Sequence, residues 1–472
     1  MPTEYDHFSK RAAFPAGASA AQWLSWLYLI YALPMIIFLA VTMPPFQVTD
    51  EYAHALRADQ VSRGTWLSPR LGSYVDGALR TFGHVYEDMR FHYEVKHTAE
   101  MARAAAALTW EMPDQDENFQ NTAQYGPLLY LPQAAGIWIG RLAGLNPVRT
   151  LLVARLVNAL SSTLIAFLAI RLCYRGLALL FTTLLLPMTV SQFASVSQDA
   201  LIISLSLLVI ALASRVVAQG RPAKTWEFAL FVAVVVATTL ARPSQFALAP
   251  LGALLFKASD QTWRPKAILA ALGSILIILW LVLLPKLMPA EPTGASVSGQ
   301  LNAIIRQPLL LPYVLYNTFR ENAFWLFETL VGRLGWLDTP MPHWYTWTAA
   351  VALACAWLAP GNRPPWVVPA SVGLLTFVAI LFNSAAALYA SWTPIGKMTI
   401  DGVQGRYILP LLPLLGFLTP AYEPRMASLI SPSWILVVAF PLASMAVLPD
   451  AIMTRYYGSW SDMGTVLRIL FY

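Results

Sequence analysis

The sequence predicts an all-α polytopic membrane protein. Hydrophobic residues make up 57% of the 472-residue chain and charged residues only 12%, whereas soluble proteins carry about 25% charged residues. The mean hydropathy is +0.56, and a soluble core cannot bury that much apolar surface. Apolar runs of helical length recur along most of the chain. These observations exclude disordered, fibrous, coiled-coil and disulfide-scaffold proteins.

The apolar runs predict a bundle of about eleven transmembrane helices, since a spanning helix needs about 20 predominantly apolar residues. Leu309–Val331 carries three charged side chains, so we expect it to be amphipathic and to lie at the membrane interface. The expected spans are Gln22–Gln47, Leu151–Ile170, Gly176–Val190, Ala200–Val217, Phe228–Leu240, Phe246–Phe256, Ile268–Leu284, Thr346–Leu358, Val367–Leu388, Tyr407–Thr419 and Trp434–Leu448.

The distribution of charge predicts the orientation of a single integral membrane domain. Lys10 and Arg11 precede the first span, which favours a cytoplasmic N-terminus over residues 1–22. Residues 44–150 then form a large first extracytoplasmic loop with juxtamembrane helices, 151–448 the transmembrane bundle and 449–472 a C-terminal tail. The basic residues expected in short cytoplasmic loops are Arg171, Arg175, Arg215, Arg221, Lys224, Lys257, Arg264, Lys266, Arg363 and Arg425. The net charge of +6 therefore indicates membrane orientation and no nucleic-acid partner.

The sequence predicts no metal centre and no cofactor. Cys173 and Cys355 lie in separate apolar runs and are expected to be inert. The six histidines do not show the spacing of zinc ligands, and the GxxxxGK[ST], HExxH and GxSxG motifs are missing from the sequence. Adjacent Asp50 and Glu51 could hold a divalent cation through carboxylate oxygens, but two neighbouring acids are insufficient to predict one.

The segment TDEYAHALRADQVSRG, Thr49 to Gly64, directly follows the first span. As a helix with Thr49 as its N-cap, it would align Asp50, His54 and Arg57 on one face. Acids at a helix start are also what the helix dipole favours, so an ordinary well-capped helix stays open as an explanation. The functional alternative is a catalytic carboxylate, Asp50 or Glu51, just above the bilayer.

Further polar motifs fall on the same predicted side of the membrane. Asp199 heads an apolar helix, which would be costly without a partner or a task. Arg242 interrupts an apolar run beside a proline, and Arg406 begins another such run; either could clamp a phosphate or simply extend to the interface. These motifs are QYGPLLYLP with Gln124 and Tyr125, LPMTVSQFASVSQD with Gln192 and Asp199, GRLGWLDTPMP with Asp338, and DGVQGRYILPLLP with Gln404, Arg406 and Tyr407.

Together these motifs resemble the GT-C superfamily of integral membrane glycosyltransferases. More specifically, the DExxH block and the QGRY motif are similar to those of a bacterial domain-of-unknown-function family of polytopic membrane proteins, and the similarity runs from about Pro44 to Pro413. The resemblance implies a GT-C-like bundle in the bacterial inner membrane. Its active site would face the periplasm or the cell exterior.

The resemblance also implies transfer of a sugar from a polyprenyl-phosphate donor to a cell-surface glycan or glycolipid acceptor, with inversion at the anomeric carbon. Asp50, with Glu51 as its rival, matches the position of the catalytic carboxylate. The substrate-binding residues expected around it are His54, Arg57, Gln124, Tyr125, Gln192, Asp199, Arg242, Asp338, Gln404, Arg406 and Tyr407. A transporter or flippase of lipid-linked saccharides is the alternative, although such proteins commonly show repeated halves and this sequence does not.

Overall fold

The computed structural model is built almost entirely of helices. It describes residues 17–68, 74–110, 112–256, 261–287, 297–358, 367–418 and 431–471. Residues before Gly17, and the loop positions Lys257, Arg363 and Arg425, lie outside the described residues. The α-helices are α1 (Gly17–Thr42), α2 (Glu51–Ser62), α3 (Gly77–Val85), α4 (Ala99–Ala106), α5 (Gln120–Ala123), α6 (Leu131–Leu142), α7 (Pro147–Leu172), α8 (Leu177–Leu184), α9 (Pro187–Phe193), α10 (Asp199–Ala218), α11 (Thr225–Ala241), α12 (Trp263–Leu287), α13 (Val297–Arg306), α14 (Leu310–Val331), α15 (His343–Trp357), α16 (Val367–Ser391), α17 (Pro432–Tyr456) and α18 (Trp460–Phe471).

Six helices of the described part are long and apolar enough to cross a bilayer, namely α1, α7, α10, α12, α16 and α17. An all-α membrane protein is therefore confirmed, but the expected count of about eleven spans is not. Helix α14 has 22 residues and is not among the six.

Two of the expected spans are 3₁₀ helices rather than α-helices. They cover Pro243–Leu254 and Gly405–Phe417, and each contains prolines that would break an α-helix. A 3₁₀ helix rises about 2.0 Å per residue, so 12 or 13 residues extend about 25 Å, most of the hydrocarbon thickness of about 30 Å. Helix α16 packs against both of them.

The expected span Gly176–Val190 is wrong as a continuous helix. Proline 187 cannot donate a backbone hydrogen bond, and it forces the preceding Leu186 into an extended conformation (φ −65°, ψ 139°). The chain therefore forms two short helices, α8 and α9, around Pro187. Both helices are buried inside the bundle.

Among its described residues, the segment between α1 and α7 contains no spanning helix, as expected. It folds into helices α2–α6, short 3₁₀ turns and a two-residue antiparallel pairing of β1 (Tyr74–Val75) with β2 (Gln115–Asp116). One of the juxtamembrane helices expected in this loop is a 3₁₀ turn over Pro127–Tyr130 that continues into α6. Arg141 of α6 pairs with buried Asp59 of α2 at 2.7 Å, which fixes α2 against α6.

Candidate active site

Four charged side chains alternate in sign where the ends of several helices meet. Arg406 donates from one terminal nitrogen to Asp50 Oδ2 at 2.7 Å and lies 3.7 Å from Asp199 through the other. Arg242 in turn donates to Asp199 Oδ1 at 2.6 Å. We call Asp50, Asp199, Arg242 and Arg406 the charged cluster. The structure thus joins residues that are up to 356 positions apart in sequence.

The two ion-pair partners Asp199 and Arg242 occupy favourable helix ends. Asp199 is the first residue of α10, where the partial positive charge of the helix N-terminus stabilises a carboxylate. Arg242 follows the last residue of α11 and precedes Pro243, which restricts it to the extended conformation observed (φ −145°, ψ 107°). Both α10 and α11 are apolar helices, and the cluster lies at the end of the pair formed by the N-terminus of α10 and the C-terminus of α11.

Arg406 reaches the cluster because the backbone before it passes very close to α14. Gly405 N–H donates to Thr329 Oγ1 at 2.8 Å, and a Cβ atom at position 405 would overlap the Leu326 carbonyl oxygen. Only glycine fits this approach. The Arg406 side chain is 3% exposed, and its Nε–H has no hydrogen-bond partner among the described residues. It is therefore a buried cation with a free donor.

Asp50 is the most exposed member of the charged cluster. Its side chain is 30% exposed, against 3%, 4% and 17% for Arg406, Asp199 and Arg242. The expected N-cap Thr49 is wrong: Asp50 holds that position with a left-handed backbone (φ 65°), while Thr49 donates its hydroxyl to the Gly335 carbonyl. A positive φ is uncommon outside glycine, and Asp is one of the few residues that adopt it readily. One carboxylate oxygen, Oδ1, has only a 3.5 Å contact with Asn121.

Aromatic and neutral polar side chains surround the charged cluster. The Tyr407 ring lies 4.9 Å from the Arg242 guanidinium and 5.5 Å from that of Arg406, so its π-face stabilises both cations. Tyr125 lies within electrostatic range of Asp50, Asp199 and Arg242. His54, one turn after Asp50 on α2, shares a 2.7 Å hydrogen bond through Nδ1 with the Tyr130 hydroxyl.

Glu51 belongs to a different arrangement, although it is adjacent to Asp50. Its carboxylate is fully buried and pairs with Arg155 of α7 at 2.8 and 2.6 Å. It also accepts hydrogen bonds from the backbone N–H groups of Phe46 and Val196, both at 3.1 Å. Four donors therefore occupy its two oxygens, which leaves none free for a substrate. Arg155 donates its other N–H groups to the carbonyls of Ala40, Met43 and Pro44 at the end of α1.

Arg57 and Asp338 likewise make structural contacts outside the charged cluster. Arg57 is fully buried and donates to the backbone carbonyls of Thr65, Trp66 and Tyr125. These hydrogen bonds from Arg57, two turns after Asp50, hold the chain that follows α2 in place. Asp338 Oδ2 accepts two hydrogen bonds from Arg455 of α17, at 3.0 and 2.7 Å.

The three predicted glutamines make no hydrogen bond to the charged cluster within the described residues. Gln192 is buried within α9 and contacts Met188 Sδ at 3.7 Å. Gln124 makes a single long contact of 3.5 Å to the Asn121 carbonyl. Gln404 precedes Gly405, and its buried Oε1 has no partner in the described part of the chain.

An apolar crevice opens beside the charged cluster. It is narrow, with a volume of about 10 Å³, and lies between α14, α16 and the start of the second 3₁₀ helix. Phe319, Leu381 and Leu388 supply its apolar wall, and Gln404 and Tyr407 line its polar end. Because Tyr407 contacts both arginines of the cluster, the crevice ends at the cationic groups.

The adjacent acids do not form a metal site. Asp50 is bound to Arg406 and Glu51 to Arg155, so the two carboxylates are directed to different partners. Within the ranges that the structure describes, no three His, Cys, Asp or Glu side chains come together as they would to hold a metal ion.

Acidification is expected to destabilise the protein through His54. Burial lowers the pKa of His54 to about 4, whereas the unfolded chain titrates near 6.5. Between these values the unfolded state binds the proton and the folded state does not. The contribution of His54 to the free energy of unfolding therefore falls by about 1.4 kcal/mol per pH unit as the pH drops from 6.5 to 4.

Thermal unfolding of the detergent-purified protein between pH 7 and pH 4 measures this slope. The variant His54→Asn should show a smaller slope, while His92→Asn should behave as wild type because the His92 ring is exposed and solvated in both states. Equal slopes for wild type and His54→Asn would contradict a buried neutral His54.

Comparison with protein families returns one match, which covers residues 21–415. The family is described as a predicted membrane protein family, DUF2142. The chain belongs to this family. The match contains all four residues of the charged cluster and extends over most of the chain. Searches of curated proteins and of solved structures gave no match.

The sequence patterns did not predict that Arg155 pairs with Glu51 or that Arg455 pairs with Asp338. Arg155 lies inside the expected span Leu151–Ile170, and an arginine within an apolar helix is a signal that it has a buried partner. Arg455 lies in the last turn of α17 and was assigned to the C-terminal tail. Nothing local to Asp338, 117 positions earlier, indicates that pairing.

Proposed function

We propose that the protein is a membrane glycosyltransferase that moves a sugar from a polyprenyl-phosphate donor to a saccharide acceptor on the extracytoplasmic face. The observation that carries the proposal is the charged cluster at the end of apolar helices: a partly exposed carboxylate, Asp50, is paired with Arg406, and Asp199 links Arg406 to Arg242. A lipid carrier presents its phosphate at this level of the bilayer, and its chain in the hydrocarbon below.

Asp50 is the proposed general base. A base must reach the hydroxyl proton of the acceptor, and Asp50 combines the largest exposure in the cluster with a loosely held Oδ1. Glu51 lacks both properties because it is fully buried and bound by four donors. The geometry therefore favours Asp50 over its neighbour.

Arg406 and Arg242 are the proposed binding groups for the donor phosphate. Guanidinium groups suit phosphate oxygens in charge and geometry, and Arg406 has a buried Nε–H without a partner in the described chain. The cluster holds two arginines against two aspartates, so an arriving phosphate competes with Asp50 for Arg406. Its binding would release Asp50 from the ion pair and so prepare it to accept a proton.

The apolar crevice is the proposed site for the first units of the lipid chain. It is walled by Phe319, Leu381 and Leu388 and ends at Tyr407 beside both arginines. The crevice has to widen to admit these units, after which the chain would be buried against apolar side chains while the phosphate meets the cations beyond Tyr407.

In the proposed reaction the acceptor oxygen attacks the anomeric carbon as its proton passes to Asp50. The bond between the anomeric carbon and the phosphate oxygen breaks, and the electron pair leaves with the polyprenyl phosphate. The arginines stabilise the charge that develops on this leaving group. Direct displacement inverts the anomeric centre. Buried, neutral His54 is suited to hold α2 through Tyr130 rather than to bind the phosphate as a cation.

The test is release of polyprenyl phosphate by the nanodisc-embedded protein. A panel of polyprenyl-phosphate sugars serves as donors and a membrane glycolipid extract as acceptor. Release that depends on the acceptor would support transfer. Movement of the intact donors across liposomes, without release from any of them, would instead support the flippase and overturn the transferase.

A further inference from the structure

An exposed aromatic platform lies next to the charged cluster. The Arg90 guanidinium stacks 3.9 Å from the centre of the Trp336 ring and 4.8 Å from that of Phe91. The two rings meet edge to face at 5.3 Å. We call Arg90, Phe91 and Trp336 the aromatic platform. The structure gives the Arg90 side chain no ion pair or hydrogen bond within the described residues, so the rings hold its donors in place while leaving them available.

Backbone strain concentrates on this platform and on the adjoining carboxylate. Four non-glycine residues in the described chain have a left-handed backbone: Phe46, Asp50, Phe91 and Leu337. Such a conformation costs an ordinary residue about 1–2 kcal/mol. Phe91 is also 61% exposed, so its burial does not offset that cost. Phe91 thus combines a strained backbone with an exposed ring, and backbone strain of this kind is a reason to look for a functional role.

The platform is fixed relative to Asp50. Trp336 Nε1 donates to the Phe46 carbonyl at 3.1 Å, and the Thr49 hydroxyl donates to the Gly335 carbonyl at 2.7 Å. These bonds join the platform loop to the residues on the N-terminal side of Asp50. Arg90 lies within electrostatic range of the Asp50 carboxylate. A group resting on the platform is therefore placed beside the proposed base.

We infer that the aromatic platform binds a sugar ring of the acceptor saccharide. A sugar ring offers an apolar C–H face that packs on an aromatic ring and a rim of hydroxyls that accept from a guanidinium. The platform presents two aromatic rings and one guanidinium side by side. The rings suit the C–H face of a sugar, and the guanidinium suits its hydroxyls. The assignment of the bound sugar as acceptor rests on the proposed function, whereas saccharide binding itself does not.

The test is binding of the full-length protein in nanodiscs to an array of defined bacterial surface oligosaccharides. Phe91→Asn removes the ring while keeping a residue that tolerates the left-handed backbone, so the fold is retained. It and Arg90→Ala should each weaken binding about tenfold, whereas Phe91→Tyr should bind as wild type. The matched control is Tyr74→Asn, which removes a ring that is 68% exposed in β1, near the opposite end of α2.

The outcomes separate this inference from the proposed function. Binding that fails for Phe91→Asn and Arg90→Ala but survives in Asp50→Asn supports the platform, even if the wild type releases no polyprenyl phosphate. In that case the result supports saccharide binding by the platform and contradicts the proposed transferase activity. Wild-type protein that binds no oligosaccharide on the array, or platform variants that bind as well as wild type, would overturn the inference.

Discussion

Asp50→Asn is expected to lower the rate of polyprenyl phosphate release by about 10²–10⁴, because loss of a general base has effects of that size. The amide keeps the shape of the side chain but cannot take the acceptor proton. Stability should change little, since the Asp50 side chain is 30% exposed and Arg406 retains Asp199 as a partner at 3.7 Å. Initial rates at saturating donor, with the melting temperature of each variant, measure both quantities.

The matched control for Asp50→Asn is Asp401→Asn. Asp401 lies in the same predicted motif as Arg406 and also pairs with a cation, Lys397, but its side chain is 36% exposed and outside the charged cluster. Its variant should release polyprenyl phosphate at the wild-type rate. A folded Asp50→Asn protein that keeps a rate within about twofold of wild type would show that Asp50 is not the base.

Glu51→Gln is expected to destabilise the protein by about 3–5 kcal/mol, because removing one partner of a buried ion pair leaves the other charge uncompensated. The side chain of Arg155 is 4% exposed and that of Glu51 is not exposed at all. The pair also connects α1, α2, α7 and the turn before α10. The yield of monodisperse protein in detergent and its melting temperature would report this loss.

A double-mutant cycle gives the control for the ion pair. Glu51→Met combined with Arg155→Leu removes both charges together, so the loss should be smaller than the sum of the single losses by about 0.5–3 kcal/mol. If the stability losses of the two single variants simply add up in the double variant, Glu51 and Arg155 are not energetically coupled. If Glu51→Gln instead melted like wild type and lost only activity, the base would be Glu51 rather than Asp50.

The charged cluster was largely predictable because hydropathy locates the ends of apolar helices. Asp199, Arg242 and Arg406 each stand where an apolar run begins or ends, and Asp50 follows the first run closely. A polar residue at such a position is costly without a partner, so charges of opposite sign on one predicted side are expected to meet. The structure brings these four residues together as two close ion pairs and one longer contact.

The opposite roles of Asp50 and Glu51 were not predictable from local pattern. Adjacent acids at a helix start look equivalent in sequence, and both suit the helix dipole. What distinguishes them is Arg155, 104 positions further along the chain. Long-range pairing of this kind depends on how α1, α2 and α7 pack against one another. The spacing of residues in the sequence does not reveal that packing.

The 3₁₀ helices were missed for a physical reason as well. A short apolar run has no periodicity that separates an α-helix from a more extended helix. The prolines at 250, 410 and 413 were the available signal, because each removes a backbone donor. Both 3₁₀ helices start at the charged cluster, with Arg242 just before the first and Arg406 within the second. These two expected spans thus begin at the proposed phosphate ligands.

The most direct measurement is a cryo-electron-microscopy structure of the nanodisc-embedded protein with bound polyprenyl phosphate, the product of the proposed reaction. We expect the phosphate density between Arg406 and Arg242, Asp50 released from Arg406, and the lipid chain along the crevice of Phe319, Leu381 and Leu388. Phosphate density elsewhere, with Arg406 still paired to Asp50 and the crevice closed, would contradict the assignment of the charged cluster as the donor site.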